Sequence, residues 1–197
     1  MVVPRRVRVR CSPAGRPTVR QISFRHAALH MVDSEFHRHR FDNVTGYLHH
    51  RDPYLLIDRV VSIQDDLATT TKTLRGDEFF LTGHFPGAAV LPGAMMQEAT
   101  TQTAGVLIAA NYNPMAVYDT EDPEFNEYAL GVLVRIKSAR YRHFARPGET
   151  ITVTARLDTR VDRVFDFVGR VEVDGRTILR NEFQLTNIPS STLRGSE

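Results

Sequence analysis

A histidine stands inside a short run of glycine and proline, because residues 83–87 read Gly-His-Phe-Pro-Gly. Glycine and proline favour a tight, fixed turn, so this loop would hold the His84 ring in one place. An imidazole titrates near neutral pH and can both take and return a proton. Two interpretations of His84 stay open on this evidence: an acid–base group, or a packed loop histidine with a structural hydrogen bond.

A single carboxylate, Glu98, lies in a segment that has no other charged residue between 94 and 110. The small and apolar residues of this segment recur roughly at helical spacing, which predicts a helix over 94–110 that is buried on most of its surface. Burial of a carboxylate costs free energy or raises its pKa. Glu98 is therefore either a general acid–base group with a raised pKa, or a helix-edge residue that reaches solvent or Gln102.

The residues Pro92 and Gly93 open this predicted helix. The first N–H groups of a helix have no partner within it and lie at the positive end of its dipole, so they can receive a developing oxyanion. Gly93 has no side chain that would block the approach of a carbonyl group. Taken with His84 and Glu98, this pattern indicates proton transfer next to a carbonyl.

The elements that must position these residues are one helix and several strands. Alternating and β-branched patterns predict strands at 55–63, 68–74, 129–139, 150–160, 164–173 and 177–187. The dipeptide Asp174-Gly175 predicts a hairpin turn between the last two, and the polar segment 111–127 predicts a surface loop. A strongly curved antiparallel sheet wrapped around one long helix would bury that helix. The predicted fold class is α+β, in the hot-dog arrangement.

The order and spacing of these residues resemble the signature of the bacterial β-hydroxyacyl-acyl-carrier-protein dehydratases. The matching residues are Gly83-His84-Phe85-Pro86-Gly87, Pro92-Gly93, Glu98-Ala99 and Gln102. The segments 48–59, 139–142 and 146–149 also resemble that family, and the likeness extends over about residues 46–188. Ala88 and Ala89 depart from it, and the loop 111–127 is longer than is typical, which bears on the substrate more than on the chemistry.

The resemblance implies that His84 is the catalytic histidine, that Glu98 is the catalytic acid from the other subunit, and that the Gly93 N–H binds the thioester carbonyl. His84 and Glu98 would share the two proton transfers, or His84 would make both while Glu98 orients the hydroxyl. The remaining substrate-binding residues would be Phe85, Pro92 and Gln102.

The substrate implied by the resemblance is a 3-hydroxyacyl chain on the phosphopantetheine arm of an acyl carrier protein. The product would be the trans-2-enoyl thioester, in fatty-acid or polyketide-type biosynthesis, with no cofactor. The subunits would form a homodimer with sheets paired edge to edge, or a trimer of dimers. Two other functions stay open: a hot-dog acyl thioesterase, which the Gly-His-Phe-Pro-Gly loop disfavours, and a non-catalytic dimerisation module, which the presence of both His84 and Glu98 disfavours.

Charge is distributed unevenly along the 197 residues, although the net charge is only +2. Residues 1–32 contain seven arginines and no acidic residue, so the rest of the chain is acidic overall. The basic segment is a disordered arm or an over-extended start, a transit peptide, or an arm with a partner. We expect an arm at 1–44, a hot-dog domain at 45–188 and a flexible tail at 189–197.

Three arginines, Arg140, Arg142 and Arg146, form a basic cluster on this acidic body. They would dock an acidic carrier protein, or they are a solvated strand end.

Several classes of protein are disfavoured by composition. One cysteine excludes a disulfide framework, and no apolar stretch is long enough to span a membrane. The pairs His37/His39 and His49/His50 lack matching acidic or cysteine ligands and have arginine neighbours, so we expect no metal site. We also expect no nucleic-acid partner and a cytoplasmic location.

Overall fold

The computed structural model describes residues 36–122 and 125–193. Within these ranges the strands are β1 (Arg59–Ile63), β2 (Leu67–Thr73), β3 (Tyr128–Tyr141), β4 (Thr150–Val161), β5 (Val164–Val173) and β6 (Arg176–Pro189). They form one six-stranded sheet in the order β1-β2-β4-β5-β6-β3, with every neighbouring pair antiparallel. β1 and β3 are therefore its edge strands. The hairpin predicted at Asp174-Gly175 joins β5 to β6, and both residues have positive φ angles, of 49° and 75°.

Two α-helices are present in the described part of the chain, a single turn α1 (Phe79–Thr82) and the 19-residue α2 (Gly93–Asn111). Every residue of α2 from Met96 to Asn111 is buried except Glu98, which is partly buried. The helix packs against β2, β3, β4, β5 and β6, so that the sheet curves around it. The predicted α+β hot-dog fold is confirmed. No helix among these residues is long and apolar enough to cross a membrane.

The apolar core lies between α2 and the concave face of the sheet. Near the end of α2, Leu107 and Ile108 pack with the stacked rings of Phe165, Phe167 and Phe183. Near its start, a second cluster contains Met96, Ala99, Ile151, Val153, Val171 and Leu179. The alternation of buried residues along β5 and β6 supplies this face, as a half-buried antiparallel strand requires.

Polar side chains also cross from α2 to the sheet. The Asn181 amide on β6 donates to Gln97 Oε1 at 2.7 Å and to Thr100 Oγ1 at 2.8 Å. Gly169 on β5 lies against this group, and a Cβ there would collide with Asn181 Oδ1 and lie 2.9 Å from Thr100 Cβ. The helix can therefore approach the sheet closely at this point because residue 169 has no side chain.

Part of the predicted arm contacts the domain. Residues 36–44, which were assigned to an arm, lie along the C-terminal end of α2. The His37 N–H donates to Asn113 O and the His39 N–H to Ala110 O, both at 2.9 Å. The Arg40 guanidinium donates to Ala110 O and to Asn111 Oδ1, each at 2.9 Å. This segment satisfies carbonyl groups that the end of a helix leaves unpaired, so these residues of the predicted arm are attached to the end of α2.

At the other end of the chain, β6 continues to Pro189 and a short 3-10 turn covers Ser190–Thr192. The Ser190 N–H donates to Glu127 O at 2.9 Å, so the start of the predicted tail is attached to the domain. The rest of the predicted arm, residues 1–35, and the last residues, 194–197, lie outside the described residues.

The tight approach at Gly169 gives a stability prediction. Gly169→Ala should lower the free energy of unfolding by about 1–3 kcal/mol, because the added methyl group forces Asn181 and Thr100 apart in a packed core. Urea unfolding of the two proteins measures this difference. Gly83→Ala is the control, since a Cβ at Gly83 meets nothing within 4 Å. Equal stability of Gly169→Ala and Gly83→Ala would show that the helix and sheet can move apart there freely.

Candidate active site

His84 lies in the loop that connects α1 to α2, and backbone hydrogen bonds fix this loop. The His84 N–H donates to Leu81 O at 3.2 Å, and the Val90 N–H donates to His84 O at 3.1 Å. The ring Nδ1 lies 3.1 Å from Val90 O. A carbonyl oxygen can only accept, so Nδ1 carries the ring proton and Nε2 of the neutral ring keeps its lone pair. His84 is partly buried, and its Nε2 is suited to act as a base.

Phe85 covers one side of the histidine. Its ring centroid lies 4.2 Å from that of His84, and the Phe85 side chain is 58% exposed. Because this apolar ring is exposed beside a base, it is suited to contact a second molecule.

Pro92 and Gly93 begin α2 as predicted. Pro92 occupies the N-cap position without a side-chain cap, and its carbonyl accepts from the N–H groups of Met95 and Met96. A Cβ at Gly93 would lie 2.8 Å from Cε1 of Tyr141, at the end of β3. A larger residue at position 93 would therefore push the Tyr141 ring aside.

Glu98 is held in a half-buried position one turn further along α2, with 17% of its side chain exposed. Burial raises the pKa of Glu98, and the hydrogen bond from Gln102 opposes this increase. That bond joins Gln102 Nε2 to Glu98 Oε1 at 3.0 Å. Glu98 therefore has both a raised pKa and a hydrogen bond from Gln102, the two features that the sequence left as alternatives.

Gln102 is itself fixed by the segment before β1. Its Oε1 accepts from the Leu56 N–H at 2.8 Å, and its Nε2 also donates to Tyr54 O at 2.9 Å. The amide orientation is set by these two backbone groups, because only the oxygen can accept from the Leu56 N–H. Gln102 must therefore present an N–H, rather than an oxygen, to Glu98.

A cavity of about 320 Å³ lies beside Glu98 and Gln102. Tyr47, Leu48 and Tyr118 give it an aromatic and apolar wall, and Ala129–Leu133 of β3 line it from the other side. Gly105 of α2 and Gly131 of β3 face each other here, since a Cβ at Gly131 would lie 3.4 Å from Gly105 Cα. The cavity is mostly apolar, with one group of polar side chains around Glu98.

His84, Phe85, Pro92 and Gly93 are not among the described residues that line this cavity. The structure of one chain therefore brings Glu98 and Gln102 together in the cavity wall but leaves His84 elsewhere. β3, which lines the cavity, is an edge strand with one sheet neighbour. Its exposed apolar residues are Leu133, Val134, Ile136 and Tyr141. An open and apolar strand edge of this kind favours pairing with another strand.

His50 is a residue of this site that the sequence analysis considered only as a metal ligand. Its Nε2 lies 3.8 Å from Glu98 Oε1, and its ring stacks on Tyr54 with centroids 5.9 Å apart. Burial lowers the pKa of His50, as do the charges of His49 and Arg51. His50 lies within segment 48–59, which resembles the dehydratase family. No spacing rule, however, predicts from the sequence that His50 contacts Glu98.

The three arginines of the predicted docking cluster are all exposed, at and beyond the end of β3. Arg140 pairs across the sheet with Arg180 of β6, which pairs with Arg170 of β5. The Arg142 N–H donates to Ile178 O, and the Arg146 guanidinium lies 6.0 Å from the Phe144 ring centroid. Arg170 and Arg180 lie beside Arg140 in the sheet, although they are far from it in the sequence.

Comparison with known proteins gives a consistent result. The model of the FabA-like domain family matches residues 48–182. The 3-hydroxyacyl-[acyl-carrier-protein] dehydratase FabZ of Thiobacillus denitrificans is 32% identical over 148 residues, which cover 74% of this chain and 94% of that protein. FabZ of Rickettsia bellii is 33% identical over 135 residues, which cover 68% of this chain and 86% of that protein.

Among solved structures, the dehydratase heterocomplex ApeI:P from Xenorhabdus doucetiae matches with a TM-score of 0.60. The identity is 18%, and the match covers 78% of this chain and 96% of that one. At this identity the likeness supports the fold alone.

The raised pKa of Glu98 predicts how stability depends on pH. A carboxyl whose pKa is higher in the folded than in the unfolded state loses its stabilising contribution as pH rises from the unfolded pKa through the folded one. Glu98→Gln removes this loss. The difference in unfolding free energy between the variant and the unchanged protein should therefore favour the variant more at pH 8 than at pH 4. Urea unfolding at both pH values measures the change. A variant that is destabilised equally at both would identify Glu98 as a structural hydrogen-bond partner.

Proposed function

The chain belongs to the FabA-like domain family, and we propose that it dehydrates 3-hydroxyacyl thioesters on an acyl carrier protein to trans-2-enoyl thioesters. The observation that carries the proposal is Glu98, a half-buried carboxyl with a raised pKa on a helix that has no other charged residue. A raised pKa favours the protonated form, which can give its proton to a leaving hydroxyl. The apolar cavity beside it is suited to an acyl chain.

The first proton transfer in this proposal belongs to His84. Its Nε2 takes a proton from the carbon next to the thioester carbonyl, and the electron pair of that C–H bond moves toward the carbonyl oxygen. The Gly93 N–H donates to this oxygen, and the positive end of the α2 dipole lowers the energy of the enolate. No hydrogen bond from the Gly93 N–H to another described residue competes with this role.

The second proton transfer belongs to Glu98. Its carboxyl proton moves to the β-hydroxyl, the C–O bond breaks with its electron pair on oxygen, and water leaves as the Cα–Cβ double bond forms. Desolvation favours the protonated carboxyl before this step, which is the form that a general acid needs. Phe85, Pro92 and Gln102 serve as binding and positioning residues around these two groups.

The complete site in this proposal needs two subunits. Support comes from the separation of His84 from the Glu98 cavity within one chain, and from β3, whose open edge borders that cavity. Pairing of β3 with the same strand of a second copy would join the two sheets and bring partner residues to the cavity mouth. We assign His84 of one subunit and Glu98 of the other to each site in a homodimer, which a trimer of dimers would repeat.

The composite site predicts that two inactive variants restore activity when mixed. His84→Ala and Glu98→Ala should each lower dehydration of a 3-hydroxyacyl carrier substrate by at least about 100-fold. After subunit exchange between equal amounts, about half of the dimers are mixed and each has one site with both groups, so about a quarter of all sites recover. Enoyl absorbance measures the recovery, and free-thiol release in the same assay distinguishes thioester hydrolysis.

The matched control mixes His84→Ala with the double variant His84→Ala/Glu98→Ala, which cannot rebuild a site in either arrangement. Native mass spectrometry verifies exchange in both mixtures. If exchange occurs and the first mixture stays as inactive as the control, each site takes both groups from one chain. Full activity of either single variant alone would overturn the assignment of that residue.

We propose that Arg140, Arg142 and Arg146 receive the acidic carrier protein. All three are exposed near the end of β3, close to Tyr141 and therefore to the start of α2. The adjacent Arg180 strengthens the positive field of this surface, whereas Arg170 beside it is paired with Glu172 at 3.4 Å. Charges at the rim of an interface act mainly on association and on its salt dependence.

Replacement of these three arginines by glutamine should therefore raise KM for the carrier-bound substrate about tenfold at low salt, and should flatten the salt dependence. KM for a short pantetheine thioester should change little. The matched control replaces Arg38, Arg59 and Arg156, which are exposed near the β1 side of the sheet. Equal losses on both substrates would place the first three arginines in the catalytic site or the fold instead of a docking surface.

A further inference from the structure

One oxygen of Glu98 faces two side-chain nitrogen atoms. Gln102 Nε2 donates to Oε1 at 3.0 Å, and His50 Nε2 lies 3.8 Å from the same oxygen. We propose that His50 is a positioning residue which, together with Gln102, stabilises on Oε1 the negative charge that appears when Glu98 gives up its proton. The inference rests on the proposed function, because it assigns the environment of that acid.

The His50 ring packs on Tyr54 and lies beside Glu98. Its ring stacks on Tyr54 with an interplanar angle of 21°, and 37% of its side chain is exposed. Its Nδ1 is buried and has no hydrogen-bond partner among the described residues. The charged and titratable groups around the ring are His49, Arg51, Tyr54 and Glu98. Of these, Glu98 is the acceptor that faces Nε2.

The ring of His50 is neutral at neutral pH, because burial, His49 and Arg51 all lower its pKa. A neutral imidazole has a single N–H, on Nδ1 or on Nε2. A proton on the buried Nδ1 would be a donor with no acceptor, whereas a proton on Nε2 faces a carboxyl oxygen. Once Glu98 is ionised, the second form gains a charge-assisted hydrogen bond and is strongly favoured.

The position of Gln102 identifies which oxygen carries the acid proton. Because its amide donates to Oε1, Oε1 is the carbonyl oxygen of the neutral acid and Oε2 carries the hydrogen. When the Oε2–H bond breaks, its electron pair stays in the carboxylate and is shared with Oε1, while the proton joins the β-oxygen that leaves as water. The ring can then close the 3.8 Å gap to the about 2.8 Å typical of a charge-assisted bond.

This contact therefore becomes stronger during the reaction than it is before it. An interaction that strengthens toward the transition state accelerates the chemical step, whereas one that is equal in both states affects only binding. His50 should accordingly influence kcat much more than KM. It should also influence the pKa of Glu98, since a donor to the carboxylate favours the charged form.

Three variants test this role. His50→Leu fills similar space without a donor, His50→Gln restores an N–H donor, and His37→Gln is the control at the far end of α2. We expect His50→Leu to lower kcat about 10- to 100-fold with KM little changed, the range for a hydrogen bond to a charged group. In a plot of kcat against pH, the fall in activity at alkaline pH should move to higher pH in His50→Leu, because Glu98 keeps its proton to higher pH without the donor. His50→Gln should recover most of kcat, and its kcat should fall at the same alkaline pH as in the unchanged protein.

A second readout does not depend on turnover. Infrared difference titration follows the carbonyl band of protonated Glu98, identified by its loss in Glu98→Gln, and should show a higher Glu98 pKa in His50→Leu than in the unchanged protein. If His50→Leu does not fold, His50→Ala gives the same comparison. If the Glu98 titration and the alkaline pH at which kcat falls are both unchanged in His50→Leu, the role of His50 is overturned, even if kcat itself is lower. A shifted titration in a protein that dehydrates no carrier substrate would instead retain this contact and reject the proposed function.

Discussion

The burial of α2 on nearly all of its surface is the constraint on which the rest of the structure depends. A helix without a polar face cannot lie on one side of a sheet, so the sheet must curve around it. From Met96 to Asn111, Glu98 is the one residue that is not fully buried. The helix can therefore offer a second molecule two things: its N-terminal N–H groups at Gly93 and the carboxyl of Glu98.

The same constraint explains why the site within one chain is open on one side. The sheet that wraps α2 ends at β3, whose first residues line the cavity beside Glu98. Among residues 36–122 and 125–193, no strand pairs with the outer edge of β3. His84 precedes the helix and lies outside this cavity. In the proposed homodimer, the strand that pairs with β3 would also border this cavity.

Periodic patterns predicted the parts of the fold that are long and regular. The 94–110 helix and the Asp174-Gly175 hairpin follow from spacing and turn chemistry within a single segment, and the structure contains both. The turn α1 has only four residues, too few for a periodic signal. The attachment of residues 36–44 depends on backbone bonds and on Arg40 reaching Asn111, 71 positions away. His50 meets Glu98 only through folding, so its place beside the acid had no local signal.

The central claim is that burial keeps the Glu98 carboxyl protonated at a pH where an exposed glutamate is ionised. Carbon-13 NMR of the glutamate side-chain carboxyl carbons, with Glu98 identified by its absence in Glu98→Gln, follows this group directly as pH is changed. The account predicts that the Glu98 signal titrates at a pH clearly above the range of exposed glutamates. A Glu98 signal that titrates together with them, or below them, would contradict it.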